Sequence, residues 1–128
     1  MKLLVFGSSG QVASELKLAV PADWDAVFLG RDQADLEQPS QCEEAVVSHK
    51  PDAVINAAAY TAVDKAEEEA ELAMRINADA PAAIAKVCKQ LNIPFLHIST
   101  DYVFDGNGTD AFQPGDSTGP LGIYGSTK

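Results

Sequence analysis

Apolar residues fall along this chain in two rhythms: short unbroken runs alternate with stretches in which they recur every third or fourth position. Leu3 to Phe6 is a run apolar on both faces that ends at Gly7, the mark of a buried central strand. Gly7-Ser8-Ser9-Gly10 reads as a tight turn. Val12, Ala13, Leu16 and Ala19 then follow at helical spacing within Gln11 to Val20, and Pro21 stops the helix. Ala26 to Leu29 predicts a second strand closed by Gly30, and Arg31 to Gln38 a polar loop. Pro39-Ser40 opens a helix carrying Cys42, Ala45, Val46 and His49, and Pro51-Asp52 leads into a third buried strand, Ala53 to Asn56. Residues 64 to 91, rich in Ala, Glu, Leu and Lys, predict helix, kinked or broken near Pro81. Glu67, Glu68, Glu69 and Glu71 read as a solvated first turn that complements the helix dipole. Pro94 to Ile98 predicts a fourth strand, followed by a loop dense in Gly and Pro; Tyr124 to Lys128 starts a further helix.

The alternation β-α-β-α-β-α-β predicts the α/β class: a Rossmann-like, doubly wound parallel sheet with right-handed crossovers and helices on both faces. The strand order expected for these four strands is 3-2-1-4.

Composition narrows the function. The 128 residues suit one domain, or part of one. Nine Lys and Arg against nineteen Asp and Glu give a net charge of −10, a field that repels phosphate polymers and anionic membranes. No nucleic-acid or membrane partner is therefore expected. Cys42 and Cys88 fit no metal or C-x-x-C spacing, so no metal site is expected, and the two thiols read as reduced ones in a cytoplasmic protein. No apolar run approaches the roughly 18 residues of a membrane span, and the start lacks the apolar region and cleavage site of a secretory signal.

Three groups of residues carry candidate chemistry. Gly7, Gly10, Gln11, Val12 and Ala13 form a G-x-x-G-x-x-A turn between strand and helix. Gly7 allows the turn, Gly10 lets a pyrophosphate approach the helix N-terminus, and Ala13 lets the helix pack close to the sheet. Beyond the second strand, Gly30-Arg31 stands where a ribose-reading carboxylate would favour NAD. An Arg there can pair a 2′-phosphate, so NADPH is expected to be preferred over NADH, with Asp35 and Leu36 as adenine contacts. Ala57, Ala58 and Ala59 end the third strand with side chains small enough for a flat cofactor to lie against the backbone. Finally, Tyr124 and Lys128 form a Y-x-x-x-K pair on one helix face. The ammonium favours phenolate and tunes the tyrosine to move a proton near neutral pH, while a hydroxyl of Ser99-Thr100 can hold a carbonyl oxygen beside it.

Taken in this order, the motifs resemble the extended short-chain dehydrogenase/reductase family. Two longer words, Asn56-Ala57-Ala58-Ala59-Tyr60-Thr61-Ala62-Val63-Asp64-Lys65-Ala66-Glu67 and Ser99-Thr100-Asp101-Tyr102-Val103-Phe104-Asp105-Gly106, resemble its dTDP-4-dehydrorhamnose reductase branch. The resemblance implies NAD(P)H-dependent reduction of the C4 keto group of dTDP-4-dehydro-L-rhamnose to dTDP-L-rhamnose. Tyr124 would donate the proton, and Lys128 would lower its pKa and hold the nicotinamide ribose. Thr100 would hydrogen-bond the keto oxygen, with Asp101 near the sugar and Val63 and Asp64 as sugar-side contacts. Gly10, Gln11 and Val12 would line the pyrophosphate and Ala57 to Ala59 the adenosine side, with Ser99 also among the cofactor-binding residues.

The resemblance also sets expectations about extent. Members often carry an acidic residue where Gly30 stands, and they run well beyond Lys128. The chain is therefore expected to be an N-terminal piece that lacks the substrate-binding part and is inactive alone, with an unpaired fourth strand that invites dimerisation or aggregation. Rival readings are an NADP-binding regulatory subunit of the methionine adenosyltransferase type, another extended nucleotide-sugar reductase or epimerase, and a bare dinucleotide-binding module.

Overall fold

The run Leu3–Phe6 lies at the middle of the sheet, where it has no use for polar positions. In the computed structural model, which describes residues 1–128, strand β1 (Lys2–Phe6) pairs with β2 (Asp25–Leu29) on one side and β3 (Ala53–Asn56) on the other. Strand β4 (Phe95–His97) pairs with β3, and every pairing is parallel. The doubly wound α/β class thus forms as expected. The order along the sheet, however, is β2-β1-β3-β4 rather than 3-2-1-4. After β2 the chain crosses back over β1 instead of adding a strand outside β2. The burial of β2 gives the reason: Asp25 is exposed and only Leu29 is buried, whereas β1 is buried from Leu3 to Phe6. A strand so lightly covered suits a sheet edge, so the return falls after two strands instead of three.

Right-handed crossovers then place helix α1 (Gln11–Ala19) on one face and α2 (Pro39–His49) with α5 (Ala80–Leu91) on the other. Leu4 and Phe6 of β1 pack with Val54, Val46 and Ile84 in the core between the sheet and α2 and α5. Leu3 and Val5 are buried outside that cluster, on the α1 face, where Ala13 is also fully buried. Each large side chain in this core contributes about 1.5–3 kcal/mol by leaving water. Cys42 and Cys88 are buried free thiols, and burial, then the negative charges of Asp35 and Glu43, push Cys42 up to about 11.

The helical stretch after β3 is broken twice. Helices α3 (Val63–Ala66) and α4 (Ala70–Met74) part at Glu67–Glu69, and α4 runs through a π-helical turn, Arg75–Asp79, into α5. The disturbance expected near Pro81 is therefore a widened turn just before it. Pro81 has no N–H for the preceding turn, and its ring crowds the carbonyl four residues back; the wide turn relieves both. Nor is the acidic run merely a solvated first turn. Glu67 accepts the Ile123 N–H at 2.8 Å, while Glu69 accepts the Tyr60 hydroxyl at 2.7 Å and pairs with Lys65 at 2.9 Å. No helix is long and apolar enough to cross a membrane.

Candidate active site

Because the chain reverses between β2 and β3, the connections leaving β1 and β3 go to opposite faces and open a crevice at their carboxyl ends. Two glycines shape it for different reasons. Gly7 has φ of 110°, and a Cβ there would stand 3.2 Å from the carbonyl carbon of Ala57 and 3.3 Å from the Ala58 nitrogen. Both its backbone and the approach of the two strand ends require glycine. Gly10 has an ordinary φ of −72°, and a Cβ on it would meet nothing within 4 Å. Nothing in the protein demands glycine at position 10. The open space above it is the floor of the crevice, and α1 begins at the next residue with no side-chain cap on its first N–H groups.

The crevice has a volume of about 710 Å³, within the range of small-molecule and cofactor sites. Gly7, Gly10, Gln11 and Val12 line it after β1, and Ala57, Ala58 and Ala59 form the adjoining wall after β3. Gly30, Arg31, Asp35 and Leu36 line one end, and Ser99, Tyr124 and Lys128 the other. Every residue expected from the sequence to bind cofactor thus lines this one cleft. The guanidinium of Arg31 is already engaged, however: its Nε lies 3.1 Å from the Asp35 carboxylate and its Nη2 pairs with Glu37.

The end holding Tyr124 and Lys128 is built by helix α6 (Ile123–Thr127). Lys128 Nζ donates to the Ile98 carbonyl at 2.7 Å, and burial holds the ammonium below the usual lysine value. The Tyr124 ring meets Tyr102 edge-on, with centroids 5.4 Å apart. Gly125 makes that contact possible, since a Cβ there would run into the carbonyl oxygen of Tyr102. On the other side Asn77, buried in the π-helical turn, ties α6 to the loop after β3. Its Nδ2 donates to the Tyr60 carbonyl at 3.0 Å and to the Thr127 hydroxyl oxygen at 3.1 Å, and its Oδ1 accepts the Tyr60 N–H at 2.8 Å. Thr127 in turn donates to the Tyr124 carbonyl at 2.8 Å. Sequence reasoning missed Asn77 and Ile76, which lines the cleft from the same turn. The one available signal was Pro81, which disturbs the helix just before it.

Beneath the cleft, Asn56 is fully buried. Its Oδ1 accepts the Ala58 N–H at 3.1 Å, which turns its amide nitrogen toward His97 Nδ1 at 3.2 Å. Burial, then the charge of Lys128, push His97 below its ordinary value. The imidazole is thus held neutral, with Nδ1 accepting.

A second cleft, about 860 Å³, adjoins the first through the shared residues Ser99 and Lys128. Thr100 and Asp101 line it. The Thr100 hydroxyl donates to Asp101 at 3.2 Å and accepts the Tyr102 N–H at 3.3 Å. Val63 and Asp64 lie on α3 and line neither cleft.

A family model described as the RmlD substrate binding domain matches residues 1–128. The chain belongs to the RmlD substrate binding domain family. Among similar proteins, a dTDP-4-dehydrorhamnose reductase of Burkholderia thailandensis is 43% identical over 128 residues, which is 100% of this chain and 43% of that protein. The crystal structure of a dTDP-4-dehydrorhamnose reductase from Clostridium acetobutylicum superposes with a TM-score of 0.93 at 34% identity, over 99% of this chain and 46% of that one. A dTDP-4-dehydrorhamnose reductase from Bacillus anthracis, solved in complex with NADP, gives a TM-score of 0.93 at 30% identity, over 98% of this chain and 45% of that one. This RmlD-family chain therefore spans less than half the length of these relatives.

Proposed function

We propose that this chain is the dinucleotide-binding part of an NADPH-dependent reductase that converts dTDP-4-dehydro-L-rhamnose to dTDP-L-rhamnose. One observation carries the reading: a single cleft at the reversal point of the sheet joins a glycine turn with an open floor to a Tyr/Lys pair. The relative solved with NADP supports the choice of cofactor. Bound NADPH would supply the hydride for the C4 carbonyl carbon. The chain's own residues handle the rest. The first N–H groups of α1 face the pyrophosphate, and the alanine wall lets the adenosine lie against the backbone. Tyr124 gives its hydroxyl proton to the oxygen that becomes the new alcohol, and the Lys128 ammonium, fixed by the Ile98 carbonyl, stabilises the phenolate left behind. Thr100 turns its hydroxyl from Asp101 to the keto oxygen, with the sugar in the second cleft near Asp101. Val63 and Asp64, expected as sugar-side contacts, lie on α3, which packs against α6 at the Tyr124 end of the cleft.

Turnover belongs to the whole protein. Within these residues β4 lies at the edge of the sheet with Leu96 54% exposed, a place for a further strand of the whole protein or of a second copy. The test is Tyr124→Phe in the whole protein. NADPH binding should stay within about twofold while kcat falls by roughly 10²–10⁴-fold, the usual worth of a positioned general acid. A Tyr124→Phe enzyme with wild-type kcat would overturn the assignment.

A further inference from the structure

The carbonyls of the glycine turn between β1 and α1 are held from the helix. The Gly10 carbonyl accepts the Ser14 N–H at 2.9 Å and the Ser14 hydroxyl at 3.0 Å. The Ser8 carbonyl accepts from Lys17 Nζ at 2.6 Å. Lys17 stands in the last turn of α1, where a cation ordinarily complements the carbonyls at the helix C-terminus. Its side chain leans the other way, as helical side chains do, and reaches back to the turn that precedes the helix. The ammonium also lies over the Phe28 ring of β2, 5.3 Å from its centroid. It joins none of the chain's three ion pairs. In a chain with a net charge of −10, it is committed to a carbonyl and a ring face instead of a carboxylate.

A trans peptide points its C=O and the following N–H in opposite directions. With the Ser8 carbonyl drawn to Lys17, the Ser9 N–H points away from that lysine. Ser8, Ser9 and Gly10 line the cleft, and the N–H groups of Ser9 and Gly10 donate to no backbone carbonyl. Lys17 itself does not line the cleft. We infer that Lys17 is a positioning residue: it locks the Ser8–Ser9 peptide so that the Ser9 N–H is offered to the pyrophosphate of the cofactor. The inference rests on the dinucleotide reading of the site and adds the residue that sets the turn's donors before the ligand arrives. Consecutive backbone N–H groups make an anion-binding hollow only while their peptides keep one orientation. A Ser8–Ser9 peptide free to turn over would present a carbonyl oxygen to the same anion. The Phe28 ring holds the ammonium in place, so the lock is part of the fold and needs no ligand to form.

The test is calorimetric titration of NADPH, NADH and ADP-ribose, separately, into the wild-type chain, Lys17→Met and Lys17→Arg. Methionine keeps an unbranched stem on Phe28 and loses the donor, whereas arginine keeps both the donor and the charge. Lys17→Met should weaken all three ligands by the same factor, about tenfold, the scale of one charge-assisted hydrogen bond. ADP-ribose belongs in the series because it has the pyrophosphate but neither the nicotinamide nor a 2′-phosphate. Lys17→Arg should restore most of the loss. The loss should persist in about 0.5 M salt, where an effect of the bare charge on the ligand would be screened away. If Lys17→Met binds all three as the wild type does, Lys17 does not set the turn, while the dinucleotide reading stands. A loss confined to NADPH, or one that vanishes in salt, would mean that Lys17 acts on the ligand by its charge, and would overturn the positioning role. If the wild-type chain binds none of the three, the dinucleotide reading falls and the role of Lys17 falls with it.

Discussion

Gly10 and Gly125 border the two adjoining clefts for opposite reasons. Gly125 is demanded by the protein, since a side chain there collides with the Tyr102 backbone, whereas Gly10 leaves a space that no protein atom uses. His97 shows how a residue at this scale couples the site to pH. Burial and the Lys128 charge hold its folded-state value below 6.5. An unfolded chain takes up that proton from its ordinary value downward, the folded chain only at lower pH. The stabilising contribution is therefore full above about pH 6.5 and is lost as the pH falls through the folded value. The urea midpoint should drop on going from about pH 7.5 to about pH 5.5, and His97→Gln should flatten that limb. An equal slope in both proteins would show that His97 does not titrate as described. The glycines, the alanine wall and the Tyr/Lys pair were legible in the sequence because each is a local requirement of spacing or size. The engagement of Arg31 was not, since an arginine in a polar loop does not reveal which way Asp35 and Glu37 turn.

Among the elements, α6 decides the chemistry and is the least able to stand alone. It has five residues, no cap from its own sequence, and two anchors from far along the chain: Glu67 at its first N–H and Asn77 at Thr127. Their burial separates their worth. Glu67 is exposed and makes one capping bond, whereas Asn77 is 2% exposed and satisfies three partners. Glu67→Ala should cost about 1 kcal/mol, as for a lost cap. Asn77→Ala should cost about 2–3 kcal/mol, because it strands the Tyr60 backbone groups without partners. Denaturant unfolding of both variants checks the ranking, and the reverse order would mean that the Asn77 bonds do not form. The strands and the first two helices could be read from periodicity. The π-helical turn could not, because the spacing of apolar residues hardly distinguishes a widened turn from a regular one. Only Pro81 marked the place.

At the scale of the molecule, apolar runs say which segments are strands but not which strands are neighbours. The exposed Asp25 at the start of β2 was the available sign that this strand lies at an edge, and the strand order followed from it. The reversal between β2 and β3 is what creates the cleft, so topology and function share one cause here. The measurement that tests this most directly is calorimetric titration of NADPH into the wild-type chain and into Gly10→Val. A Cβ at position 10 meets no protein atom within 4 Å, so the fold should be kept, with the unfolding midpoint lowered only by the poorer cap that valine gives α1. It fills the floor on which the pyrophosphate is to lie. One NADPH per chain should bind the wild type, and binding should be lost in Gly10→Val. Equal binding by the two proteins, or none by the wild type, would contradict the assignment of this cleft to a dinucleotide.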